Sequence, residues 1–190
     1  GSFALQNQIF KTYGLDERRG FFTSVLSEPM PEDTYTYFCS YPAPISVNGT
    51  AATFGIPSVQ NGKASGGADV MTAIPDPEDH SGMSMIMNRM MHQFRFWVPA
   101  EDQVLGDEKI EKIYMTFPTA VTGNATFNVA DPDAPAQLTE GQADVQINLE
   151  HPIGRSSDEN AQFACFAFVP VQFASGQTLS LKAYTDDKIA

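Results

Sequence analysis

The sequence predicts an all-β fold of the sandwich type, on three observations. Apolar residues alternate with polar ones at period two in several short runs. The 14 Gly and 13 Pro cut the chain into pieces too short for ordinary helices. Long polar loops separate those pieces without any composition shift that would mark a domain linker, so residues 1–190 read as one β-sandwich domain. At 190 residues and 42% hydrophobic content, the chain can bury a substantial core.

The elements follow in order. Residues 3–10 form a weakly alternating first strand, and 21–26 a second. Residues 34–41 place Tyr35, Tyr37, Cys39 and Tyr41 on one face, and Pro42-Ala43-Pro44 ends that run. Short strands follow at 50–56 and 70–73. The Met-rich stretch 83–98 fits either a helical stripe (Met83, Met87, Met90, Met91, Phe94) or two strands. The strand reading is preferred, with a break and room for a helical turn near Asn88-Arg89, and Pro99 stopping the aromatic run that begins at Phe94. Its methionines read as core filling in preference to an adaptable binding face. Ile113, Met115 and Phe117 alternate. Residues 126–129 follow an expected Gly123-Asn124 turn. Val145, Ile147 and Leu149 alternate, 162–169 is apolar on both faces, and Leu179, Leu181 and Ala183 close the pattern. The expected core comprises Phe38 or Cys39, Met85, Phe94, Phe96, Ile113, Met115, Ile147, Phe166, Phe168 and Leu181.

Charge narrows the partners. The formal net charge of −12 repels phosphate backbones and anionic lipid, so nucleic acid is not an expected partner. No run approaches the ~18 apolar residues of a membrane-spanning helix. Cys39 and Cys165 lie in strand-like runs. They read as two small buried hydrophobes, with a single disulfide between distant strands as the sharper alternative.

Several segments, in order from about residue 35 to the C-terminus, carry a family resemblance. Tyr37-Phe38-Cys39-Ser40-Tyr41-Pro42 is similar to the YxYYP segment of the Bacteroidetes fimbrillins, and Ile56-Pro57-Ser58-Val59-Gln60 to their xPxxQ element. Asp69-Val70-Met71-Thr72-Ala73 resembles their short acidic-start strand. The stretch from Met87 to Phe96 resembles the F-x-H-x-x-A-x-L-x-F segment, with Arg89 where the family often has His. Residues 109–115 resemble V-x-K-I-x-I. Phe166 to Pro170 with Gly176 to Leu181 resembles the closing pair.

The resemblance to the fimbrillin N-terminal domain implies a transthyretin-like β-sandwich with Greek-key connections. It implies export as a lipoprotein precursor, a place at the outer membrane in a fimbria (pilus), a role in cell adhesion, and partners that are other fimbrial subunits joined by β-strand exchange. It also gives a meaning to Arg18 and Arg19, the only paired arginines: a processing site for an Arg-specific protease, against the plain reading of a solvated turn between the first two strands. Residues 3–10 would then be a replaceable edge strand, and the intact isolated domain is expected to be monomeric.

Catalytic signatures are absent from the sequence. His80, His92 and His151 are far apart and outside any HExxH pattern, and no GxSxG elbow or phosphate-binding glycine loop occurs, so no enzyme activity, catalytic residue, metal site or cofactor is expected. The acidic stretch Asp76 to His80, and Asp131 with Asp133, lack an EF-hand register and read as solvated turns. Asn48-Gly49-Thr50 and Asn124-Ala125-Thr126 match the N-glycosylation pattern and imply surface exposure. The alternative function is a surface lipoprotein module that binds glycan or protein ligands through its loops. That module needs an aromatic platform, for which Trp97 and Tyr114 are candidates, although core packing is the preferred role for both.

Overall fold

The structure is a computed structural model and describes residues 11–16, 19–23, 25, 37–63, 68–75, 84–158 and 162–185. The chain divides into two compact units, Gly1–Thr36 and Tyr37–Ala190. In the first unit, β1 (Lys11–Asp16) and β2 (Arg19–Thr23) form an antiparallel hairpin. Pairing starts at Asp16↔Arg19, so only two residues separate the strands, and a bulge lies between Thr12 and Gly14. A strand therefore occupies 11–16, where the sequence suggested a connection. Residues 3–10 lie outside the described residues.

The second unit is built on strands, with no α-helix among the described residues. In chain order they are β3 (Cys39–Tyr41), β4 (Ser46–Asn48), β5 (Ala51–Ile56), β6 (Val59–Gln60), β7 (Met71–Pro75), β8 (Met85–Arg89), β9 (His92–Phe96), β10 (Val98–Pro99), β11 (Ile110–Thr116), β12 (Thr122–Asn128), β13 (Gln137–Gln142), β14 (Asp144–Ile153), β15 (Arg155–Ser156), β16 (Ala164–Phe168) and β17 (Ser180–Tyr184). Two four-stranded sheets run in the orders β17-β11-β14-β6 and β13-β12-β5-β4. A three-stranded sheet β3-β7-β8 and the pairs β16-β9 and β10-β15 complete the unit. Most neighbours are antiparallel; β6 against β14 and β10 against β15 are short parallel bridges.

β16 organises the interior. All five of its residues are buried. Ala164, Phe166 and Phe168 join a cluster containing Ile113, Met115, Val145 and Ile147 from the β11–β14 sheet. On the other side, Ala167 and the following Val169 join a second cluster with Phe54, Phe127, Val70, Met90 and Met91. Period two thus sends alternate side chains of one strand into two cores, which is why residues 162–169 are apolar on both faces. The backbone of β16 is satisfied on both edges as well. β9 pairs along all five residues. On the other edge Gly62 accepts from the Cys165 N–H at 2.7 Å. The Gln60 side chain donates Nε2 to the Ala167 carbonyl (2.7 Å) and accepts the Ala167 N–H on Oε1 (3.0 Å), so a side-chain amide takes the place of a neighbouring strand.

Several sequence expectations are corrected by this arrangement. Of the run 34–41, the strand is only Cys39–Tyr41, with Cys39 and Tyr41 exposed and Ser40 half-buried; residues 34–36 lie outside the described residues. The break in the Met-rich stretch falls at Met90-Met91 and contains no helical turn. Both methionines are buried, and the Met90 N–H donates to the Val70 carbonyl, so the chain turns inside the core and not at the polar Asn88-Arg89 pair. Gly123-Asn124 is not a turn but part of β12, at a bulge opposite β13. Gly123 has φ +126°, and a Cβ there would meet the Glu140 and Thr139 carbonyls at 2.8 and 2.9 Å, so only glycine fits. Pro99 does not stop the aromatic run directly but lies in the two-residue bridge β10, a position that tolerates a missing N–H.

The expected core is mostly correct. Ile113, Met115, Ile147, Phe166 and Phe168 are buried, and Phe38, Phe94 and Phe96 pack against the clusters while partly buried. Cys39 is exposed, Met85 is half-buried on an edge strand, and Leu181, opposite Met115, is 36% exposed because β17 is the last strand of its sheet.

Candidate functional site

A strand edge can recruit another strand when it is long, paired on one side only and free of charge, bulge or proline. Measured against those criteria, the edges of this protein differ. β3, β4 and β6 are two or three residues long. β13 is longer but irregular: its pairing with β12 is bulged, and Glu140 adopts φ +53°, which bends the edge and adds a charge. β17 carries the exposed Lys182 in the middle of its five residues.

β8 is neither short nor bulged and contains no proline, and it carries one charge, Arg89, at its end. It pairs with β7 in regular register from Met71↔Arg89 to Pro75↔Met85, and with no other strand among the described residues. Its successive side chains Ile86 and Met87 are 50% and 45% exposed, so both faces of the edge offer apolar surface. Its single charge is already used. Arg89 donates Nε to Asp69 Oδ1 at 2.8 Å and a terminal nitrogen to Oδ2 at 3.1 Å, a bidentate pair with Asp69 buried. The buried Thr72 hydroxyl donates to Met90 Sδ at 3.1 Å, tying β7 to the turn after β8. The edge is thus anchored at its Arg89 end while its outer side has no strand partner among the described residues.

The residues singled out from sequence do not converge on one site. Arg18 lies outside the described residues, and Arg19 opens β2. Cys39 is exposed and Cys165 buried, and no disulfide joins them; the reading of two buried hydrophobes holds only for Cys165. Desolvation by its surroundings pushes the Cys39 thiol pKa above its ordinary value, which lowers its thiolate fraction at neutral pH. His80 and residues 76–79 lie outside the described residues, whereas His92 sits exposed on β9 with its ring edge-on to Phe168 at 5.7 Å, and His151 is exposed on β14. Asp131 accepts the Asp133 N–H within its own turn. Among the described residues, no group of three or more His, Cys, Asp or Glu side chains is placed to hold a metal ion. Asn48 ends β4 in an exposed hairpin. Asn124 is half-buried in β12 and donates to Glu140, so its glycosylation pattern does not mark an open loop.

The two candidate aromatics separate. Trp97 is half-buried between β9 and β10. Tyr114 is 36% exposed on β11, which corrects its expected core role: its neighbours Ile113 and Met115 take the inner face. A shallow cleft beside the Gly123 bulge, lined by Ile56, Pro57, Asn124 and Glu140 among others, has its main polar groups engaged with each other. The exposed edge of β8 was legible only as a Met-rich stretch; nothing in its residue types separated it from core.

Comparison with known protein families, with curated proteins and with solved structures finds no match to this chain.

Proposed function

We propose that this domain is a structural or accessory subunit of a cell-surface fimbria, exported to the outer membrane, that joins neighbouring subunits by β-strand addition and contributes to adhesion. The observation that carries the reading is the β8 edge: five residues in regular register, one side unpaired among the described residues, with Ile86 and Met87 half open. An incoming strand would satisfy the outer backbone groups of β8 and cover those two side chains. The ordered series of fimbrillin-like segments supports the same reading. Non-consecutive neighbours within each four-stranded sheet support a transthyretin-like sandwich with Greek-key crossovers.

The test is immunogold electron microscopy of cells that express the protein, with antibodies against this domain, beside an Ile86→Lys/Met87→Lys variant. Labelled filaments that disappear in the variant are expected. Labelling that is diffuse, or filaments unaffected by two lysines on β8, would overturn strand addition at this edge. A second test addresses Arg18 and Arg19. Limited trypsin digestion followed by size-exclusion chromatography should convert an intact monomer into an associating species once the N-terminal segment is lost. A stable monomer after cleavage would remove the processing step from the proposal.

The alternative, a surface lipoprotein module that binds glycan or protein ligands, is favoured by one observation, the exposure of Tyr114 on a sheet face.

A further inference from the structure

The outer face of the sheet β17-β11-β14-β6 carries an ordered array. Ile113, Ile147 and Ala183 point inward and are buried, so their sequence neighbours face out. The register then sets two rows across the sheet. In one, Lys182 on β17 stands opposite Tyr114 on β11, next to Gln146 on β14 and Val59 on β6. In the other, Tyr184 stands opposite Lys112, next to Asn148. Tyrosines and lysines therefore alternate as a two-by-two checkerboard. The two tyrosines meet across its diagonal, with ring centroids 5.3 Å apart and planes at 73°. Strands ~4.8 Å apart and alternate residues ~6.8 Å apart make the checkerboard about 5 by 7 Å, and about 10 by 7 Å with Gln146 and Asn148 on β14.

The charges of the array distinguish it from an ordinary solvated face. Lys63, Arg89 and Arg155 each pair with a carboxylate. Lys112 and Lys182 form no ion pair among the described residues; the Lys112 ammonium lies 5.9 Å from the centre of the Tyr114 ring, at the outer limit of a cation–π contact. Two cations without an ion pair among the described residues share one small face in a chain of net charge −12. Two carboxylates flank the array on the same face of β14, but Asp144 accepts the Thr116 hydroxyl and Glu150 pairs with Lys63; charges farther off than ~8 Å are screened at physiological salt. The neighbouring groups fit the rest of a saccharide. Tyrosine rings pack against the apolar faces of sugar rings. The side chains of Gln146 and Asn148, joined by a 2.7 Å hydrogen bond, hold each other in place while keeping donor and acceptor capacity for hydroxyls.

We infer that the Lys112–Tyr114–Lys182–Tyr184 face binds an anionic saccharide, with the lysines on its carboxylate or sulfate groups and the tyrosines against its rings. The inference is independent of the fimbrial reading, because this face uses no backbone edge and does not include β8.

Isothermal titration of the protein at physiological salt tests it. A tetragalacturonate probes carboxylate alone, a chondroitin sulfate tetrasaccharide adds sulfate, and maltotetraose is the neutral control. At least one anionic probe should bind saturably in the millimolar range or tighter, with no signal from maltotetraose. Lys112→Gln/Lys182→Gln should weaken that binding roughly tenfold, as should Tyr114→Ala, with far-UV circular dichroism unchanged. Absence of binding by both anionic probes overturns the inference, as does binding unaffected by the lysine pair. Oligoglutamate of equal charge should bind much more weakly than the saccharide. Equal binding would make the face a simple cation patch, and the saccharide assignment would fall.

Discussion

β16 and β8 are both five-residue strands that open on apolar residues, Ala-Cys-Phe-Ala-Phe and Met-Ile-Met-Asn-Arg, yet even their apolar residues have opposite fates. Every residue of β16 is buried, and its backbone is engaged on both edges. No residue of β8 is fully buried, and one edge has no partner among the described residues. Hydrophobicity alone does not account for it, because the apolar Ile86 and Met87 are themselves about half exposed. β16 has cores on both sides and the Gln60 amide closing its second edge, whereas β8 is the last strand of a three-stranded sheet. Apolar composition tells where a chain can be buried; sheet order decides whether it is.

The comparison can be broken at several points, the largest effect first. Phe166, 1% exposed, stacks on Phe94 with centroids 5.5 Å apart. Phe166→Ala is expected to cost ~3–5 kcal/mol in chemical denaturation, and a loss under ~1 kcal/mol would show that β16 is not central. Gln60→Leu removes both hydrogen bonds to Ala167 without removing bulk. It should cost ~1–3 kcal/mol for each orphaned backbone group, and a neutral result would mean that water or relaxation replaces the amide. Asp69→Asn weakens the bidentate pair that mounts β8. Because Arg89 is half-exposed, the expected cost is only ~1 kcal/mol, with faster amide hydrogen exchange confined to β7 and β8. Ile86→Lys should change monomer stability by less than ~0.5 kcal/mol while suppressing the association expected after the N-terminal segment is cleaved off; a larger loss would place Ile86 in a core. The two cysteines provide a final contrast. Cys39 should alkylate in the native protein, slowly at pH 7 and faster as pH rises, because its raised pKa leaves less thiolate at neutral pH. Buried Cys165 should react only on unfolding.

Much of the fold was readable from the chain because period-two alternation depends only on local geometry. Val145 and Ile147 are buried and Gln146 and Asn148 face out, as their spacing requires. The all-β class follows from the same alternation and from the density of Gly and Pro. The sites were much less legible. Asp69 and Arg89 are twenty residues apart, and only the pairing of β7 with β8 brings them into a bidentate contact. Tyr114 looked like core because its run is apolar, and one residue of phase on β11 turns it outward. Lys112, Tyr114, Lys182 and Tyr184 come from segments some seventy residues apart, and only the β11–β17 register assembles them. Gly123-Asn124 read as a turn because glycine and asparagine favour bends, but whether the positive φ of Gly123 serves a turn or a bulge depends on the strand opposite. The sequence by itself determined which residues alternate, where the chain can bend and how negative the surface is, since these are properties of neighbouring residues. Only the tertiary structure decided which strands are central, which edges stay open and which distant side chains share a face, because sheet order and register are set by contacts between segments far apart in the chain.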